Sequence, residues 1–238
     1  MTDAELRTVL ADRIANVRAR IAAACARVNR DPAAVTLVAV TKTVSPRVAG
    51  LLPELGVPDL GENRPQELWR KAAELAHLPI RWHLIGHLQR NKVERTLPLV
   101  HLIHSVDSLR VFEAIATEGQ KRNRYPGLLL EINASREQQK HGFSYEDVLR
   151  AEPEFEDRPG YVAGLMCMAA YSDDPEQARL AFQELRQFRD RLRQEWLIVG
   201  PQLEHLSMGM SGDFEVAIEE GATLVRIGTT IFGGLEGE

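Results

Sequence analysis

The chemically useful residues fall into two widely separated stretches. In "VTLVAVTKTVSP" an apolar run, with the pattern of a strand covered on both faces, leads into Lys42. Such a side chain either reaches water at the strand end or is held in a pocket. In a pocket, desolvation or a neighbouring cation lowers the pKa of the amine, which can then form a Schiff base with a carbonyl compound. The second stretch is "HLSMGMSGDFEVAIEEGATLVRIGTTIFGG". Here Gly209 and Gly212 permit close backbone approach, and Ser211 places a hydroxyl just before an apolar-periodic helix. Gly228, Thr229 and Thr230 add further N–H and hydroxyl donors. Together they can close on one phosphoryl group; the simpler alternative is helix capping by Ser211 and turns at the glycines. Arg226 lies within "LVRI" and must find polar partners, because an unpaired buried charge is expensive. A phosphate, an aromatic nitrogen, or an ion pair with Glu204 or Glu131 would each serve.

An aldehyde-bearing phosphorylated ligand would satisfy both stretches at once. Other chemistries lack their residues. His83 and His87 are four apart, but Gly86 and the change from strand to loop remove the helical geometry of a metal pair, so no metal site is expected. There is no phosphate-binding GxxxxGK[ST] loop, and "GMSGD" lacks the spacing of a nucleophile elbow. Glu62 and Glu131 form an acid/base pair only if their strand ends bring them together. Cys25 and Cys167 sit among small or apolar neighbours and read as core thiols.

The positioning elements follow from periodicity. Apolar runs predict eight strands, near residues 35–40, 57–61, 82–85, 101–104, 127–132, 162–166, 203–209 and 223–229. Helical patterns cover 3–29, 65–76, 109–118, 175–196 and 214–220, and the acidic stretch 151–160 reads as a surface loop. Alternation throughout the 238 residues favours one domain, an α/β fold built as a single (β/α)8 TIM barrel over about 35–233 with an additional N-terminal helix. A doubly wound sheet is the weaker alternative. In a barrel the residues after each strand share one rim, which gathers Lys42, Thr43, Glu62, Asn63, His83, Gly86, Asn133, Met166, residues 207–211 and residues 228–230.

Composition narrows the function. Lys and Arg total 29 against 34 Asp and Glu, a formal charge of -5, which gives no support to a nucleic-acid surface. The start "MTDAELRTVLADRI" is not a signal peptide and no apolar run approaches a membrane span, so a cytoplasmic protein is expected.

The ordered strings "LVAVTK", "LGENRPQE", "WHLIGHLQRNK", "HSVDS", "INASREQQKHG", "GLMCM" and "LSMGMSGDFEVAIEEGATLVRIGTTIFG" resemble the YggS/PROSC family of pyridoxal phosphate homeostasis proteins, from about Val35 to Gly233. The resemblance implies an alanine racemase N-terminal domain-like barrel, the type III pyridoxal phosphate fold, with pyridoxal 5'-phosphate (PLP) as cofactor. It implies Lys42 as the internal aldimine, Ser211, Gly228 and Thr229 at the phosphate with Met210 and Gly212 beside them, and Arg226 turned towards the cofactor. Asn63 and His83 would lie near the ring or the lysine, and Asn133 and Met166 would line the rest of the pocket. It further implies a protein that holds PLP reversibly in vitamin B6 and amino-acid/keto-acid balance, without robust turnover, and with PLP-dependent apoenzymes as recipients; without a racemase-like second domain, a monomer is expected. Few residues follow Gly233, so the second domain of alanine racemase is not expected, which argues against efficient two-base racemisation. A PLP-dependent racemase or lyase and a regulatory interaction barrel are the alternatives.

Overall fold

The computed structural model describes residues 1–134, 141–158, 162–170 and 172–236. Part of the "INASREQQKHG" string, residues 135–140, therefore lies outside the described residues. The strands are β1 (Thr36–Val40), β2 (Asp59–Glu62), β3 (Arg81–Leu84), β4 (Val100–Val106), β5 (Gly127–Ile132), β6 (Val162–Cys167), β7 (His205–Ser207) and β8 (Leu224–Ile227). All pair in parallel and in chain order, and β8 pairs back onto β1 to close the barrel. The helices are α1 (Asp3–Arg27), α2 (Pro46–Ala49), α3 (Pro65–Glu74), α4 (Val93–Thr96), α5 (Leu109–Arg122), α6 (Tyr145–Arg150), α7 (Glu152–Glu156), α8 (Arg179–Glu195), α9 (Phe214–Glu219) and α10 (Thr229–Phe232).

The expected barrel is present, with local differences. The acidic stretch after residue 151 is helical rather than irregular: Pro153 sits in the first turn of α7, and Phe155 is fully buried with its ring edge-on to Phe112. Residues from Pro175 form a 3₁₀ turn capped by Asp174 before α8 begins. In α1 the periodic Leu6, Leu10, Ile14, Val17 and Ile21 are buried, while Val28 lies past the helix end and is exposed. Thr2 and Glu5 form a capping box at its start. No described helix is long and apolar enough to cross a membrane.

Most of the apolar core lies between barrel and helices. Inside the barrel the apolar content is small: Val38, Leu102, Leu129, Met166 and Leu224 form one cluster. Much of the remaining interior is polar, with Asp59, His83, His104, Ser207 and Arg226 all buried. Burying such groups is tolerated only when each finds partners.

A second buried polar group braces the end of β1 from outside the barrel. Glu62 Oε1 accepts from Thr41 Oγ1 and from Lys71 Nζ, both at 2.6 Å, and Lys71 Nζ also donates to the Thr41 carbonyl at 2.6 Å. The Lys71 and Glu62 side chains are 1% and 0% exposed. The amine thus ties α3 to the ends of both β1 and β2, at the residue directly before Lys42. Removing one partner strands a buried charge, which costs more than an intact buried pair gains. Lys71→Met is therefore expected to destabilise the protein by about 3–5 kcal/mol in urea unfolding, with much of the loss recovered in Glu62→Gln/Lys71→Met. A single-variant loss below about 1 kcal/mol would show that the pair braces nothing.

Candidate functional site

Lys42 lies two residues past the end of β1 and is exposed, between buried Thr41 and buried Val44. Its surroundings follow from barrel closure. The register sets Val38 beside Arg226 and Ala39 beside Ile227, and a Cβ added to Gly228 would lie 3.4 Å from both the Cβ and the carbonyl oxygen of Val40. Lys42 and residues 228–230 therefore follow neighbouring strands and not strands on opposite sides of the barrel.

That segment is organised by Ser211. Its Oγ accepts from the Gly228 N–H at 3.3 Å and from the Thr230 N–H at 3.4 Å. The expected alternative, that Ser211 caps the helix following it, does not hold. The residue at the start of α9 is Asp213, whose Oδ1 accepts from the Met210 N–H at 2.6 Å. Ser211 instead covers the free N–H groups at the start of α10, groups that have no intrahelical partner. The loop can reach across because of Gly209, which has φ +92° and whose added Cβ would meet the Ala217 Cβ at 2.5 Å. Beside Ser211, a Cβ on Gly212 would meet no atom within 4 Å. Two N–H donors, one hydroxyl and open space thus converge at one strand end. From outside, Arg13 of α1 donates to the Ile231 carbonyl at 2.8 Å and fixes α10.

Below this rim a chain of hydrogen bonds runs through the barrel. Arg226 Nη1 donates to Ser207 Oγ at 2.5 Å, and Nη2 donates to the Cys167 carbonyl at 3.0 Å. Neither Glu204 nor Glu131, the ion-pair partners considered from sequence, takes these bonds. Ser207 Oγ is 2.7 Å from His104 Nδ1, His104 Nε2 is 2.9 Å from His83 Nδ1, and His83 Nε2 is 3.0 Å from Asp59 Oδ1. Arg81 closes the chain with Nε to Asp59 Oδ1 at 2.7 Å and Nη2 to Oδ2 at 2.5 Å. A carboxylate only accepts, and with both rings held neutral by burial the direction is fixed. Ser207 donates to His104, His104 donates from Nε2 to His83, and His83 donates from Nε2 to Asp59.

The charge states agree with that order. Burial pushes the His104 and His83 pKa values down, for His83 against the pull of Asp59, so both rings are neutral. Burial alone would raise Asp59, but hydrogen bonds from His83 and Arg81 outweigh it and hold the carboxyl at about 2. Burial also lowers Arg226, opposed in part by the charges of Asp213 and Glu131, and pushes the Cys167 thiol up to about 12. Glu131 is raised to about 7, first by burial and then by the Asp107 charge.

The residues expected at the site divide accordingly. Lys42, Met210, Ser211, Gly212, Gly228 and Thr229 lie along neighbouring strand ends, with Arg226 just inside the barrel. Asn63 is half-buried after β2, its carbonyl so close to Gly86 that an added Cβ would lie 2.2 Å away. Asn133, also half-buried, is tied by its N–H to the Phe143 carbonyl at 3.0 Å. The structure does not bring His83 or Met166 to the rim. Both ring nitrogens of His83 are taken within the barrel, and Met166 is fully buried in the inner apolar cluster. Nor do Glu62 and Glu131 pair across the mouth, since Glu62 is committed to Lys71. Sequence reasoning missed Lys71, His104 and Asp59. The inward set of β4 was readable only with the strand's facing known.

A family model described as alanine racemase, N-terminal domain, matches residues 13–236. A pyridoxal phosphate homeostasis protein of Aquifex aeolicus (strain VF5) is 41% identical over 223 residues, covering 93% of this chain and 96% of the relative. Among solved structures, an unknown protein from Bifidobacterium adolescentis superposes with a TM-score of 0.90 at 36% identity, over 98% of this chain and 97% of that one. PipY of Synechococcus elongatus PCC7942, solved with PLP bound, superposes with a TM-score of 0.81 at 32% identity, over 94% of this chain and 100% of its own.

The buried chain predicts a specific acid response. The folded-state pKa of Asp59 is depressed from 3.8 to about 2, so its contribution is fully present above the unfolded value and is lost as pH falls towards 2. It amounts to about 2 kcal/mol. Urea midpoints of the wild type should fall through this window, while those of Asp59→Asn should start lower and change less. Parallel curves for the two proteins would contradict the assignment.

Proposed function

The chain belongs to the alanine racemase N-terminal domain family and, within it, to the pyridoxal phosphate homeostasis proteins, and we propose that it holds PLP reversibly as a Schiff base on Lys42. The observation that carries this reading is that an exposed lysine just after β1 and the Gly228 and Thr230 N–H groups after β8, bound by the Ser211 hydroxyl, follow adjacent paired strands. When bound, the cofactor supplies an aldehyde that an amine captures. Every other role falls to residues of the chain.

The donor set fits that group. Ser211 Oγ, the Gly228 N–H and the Thr230 N–H would hold the phosphate, with Gly212 and Thr229 lining its seat. Arg226, held rigidly by Ser207 and the Cys167 carbonyl, would face the ring side as a donor that cannot be deprotonated. Lys42 would supply the amine. Custody over catalysis is supported by the relatives, which are pyridoxal phosphate homeostasis proteins. We assign the protein to intracellular PLP supply, with PLP-dependent apoenzymes as recipients.

Reduction with borohydride after incubation with PLP should abolish the visible absorbance and leave a phosphopyridoxyl adduct on Lys42, absent from Lys42→Ala. Ser211→Ala should weaken PLP retention roughly 10-fold, the loss of one charge-assisted hydrogen bond. An adduct mapped elsewhere, or equal labelling of Lys42→Ala, would overturn the proposal. Multiple turnover of an amino acid would replace custody by catalysis.

A further inference from the structure

On the rim formed by β3, β4 and β5, away from the β7, β8 and β1 side that carries Ser211 and Lys42, three side chains converge. His87 follows β3, Asp107 directly follows β4, and His141 precedes the segment that returns to β5. His87 Nδ1 is 2.7 Å from Asp107 Oδ2, His141 Nδ1 is 3.9 Å from the same oxygen, and one ligand atom from each lies within 4.8 Å of the others. The two imidazoles stack, with centroids 5.0 Å apart and planes inclined by 24°. We infer that His87, Asp107 and His141 form a binding site for a divalent late transition metal of the zinc type.

The backbone fixes each residue where the site needs it. Gly86 packs so tightly on the Asn63 backbone that no side chain fits there, which sets the path into His87. Asp107 is nearly buried and its other oxygen accepts from Ser108 Oγ at 3.2 Å, so Oδ2 is left for the two rings. Gly142, at φ +113°, turns the chain after His141, and Phe143 then exchanges hydrogen bonds with the backbone of β5: its N–H with the Glu131 carbonyl at 2.8 Å and its carbonyl with the Asn133 N–H at 3.0 Å. Three preset ligands, two imidazoles and one carboxylate, suit zinc and its neighbours over calcium or magnesium, which prefer all-oxygen shells. A neutral imidazole can carry its proton on its other nitrogen, which frees Nδ1 for the metal. Zinc takes such ligands at about 2.0–2.2 Å, a distance within reach of small side-chain rotations. Three protein ligands leave a coordination position open. Asp107 and Gly142 also line a cleft of about 700 Å³, large enough for a small ligand of the ion.

The site differs from the histidine pair considered in the sequence: His87 belongs to it, but His83 is turned into the barrel. It shares no ligand with the PLP proposal and stands or falls separately. Tag-free full-length protein, free of PLP, should bind one equivalent of Zn²⁺ in calorimetry, and Co²⁺ should give visible absorption that Zn²⁺ displaces. His87→Ala/His141→Ala should weaken Zn²⁺ binding at least 10-fold and abolish the Co²⁺ spectrum, and Asp107→Asn should weaken it 10-fold or more. Both histidines are exposed, so circular dichroism of the double variant should match the wild type. No binding by the wild type, or equal affinity in wild type and double variant, would reduce the cluster to a rim hydrogen bond and overturn the inference.

Discussion

The pairing of the last strand with the first is the constraint on which the site depends. Lys42 and Ser211 are 169 residues apart in the chain; the β8–β1 pairing sets the strand end before Lys42 beside residues 228–230, and Ser211, which follows β7, reaches that segment through the Gly228 and Thr230 N–H groups. The register is enforced by what each strand must bury. A slip of one residue would turn Arg226 out of the barrel and Val225 or Ile227 into its polar interior, exposing every partner of the chain behind Arg226. The extra helix α1 secures the same seam from outside through Arg13 on α10, and Arg30, in the turn just after α1, donates to the Ile218 and Ala222 carbonyls around α9.

Two buried polar systems hold the rim from either side of the barrel wall. Outside the wall, Lys71 and Glu62 tie α3 to the residue before Lys42. Within the barrel, the line from Arg226 to Asp59 gives each group a partner and a fixed donor direction, so the guanidinium keeps its pose despite its burial. A barrel filled only with Val, Ile and Leu would be cheaper to assemble. This interior instead commits polar groups from β2, β3, β4, β7 and β8 to orienting one cation below the open strand ends.

Much of the architecture was legible in the sequence. The fifth strand reads from Gly127 to Ile132 because "YPGLLLEIN" is a continuous apolar run between a proline turn and a polar exit, and α1 reads from its clean periodicity. Lys42, Ser211 and Gly228 stood out because glycine, hydroxyl and amine groups at strand ends have few purely structural uses in combination. Facing was not legible. Strands covered on both sides do not alternate, so nothing in "IRWHLIGH" says that His83 points inward and His87 outward. Lys71 reads as an ordinary charge on an amphipathic helix, and only the packed structure shows it to be one half of a buried pair. The stretch after residue 151 looked irregular from its acids and prolines, yet one buried Phe155 suffices to order α7 against the core.

A crystal structure of the protein soaked in PLP tests the central claim most directly. Continuous density is expected from Lys42 Nζ to the ligand, with phosphate oxygens taking the Gly228 and Thr230 N–H groups that Ser211 Oγ now occupies. Ligand density elsewhere, or density at that seat with Lys42 unattached, would contradict it.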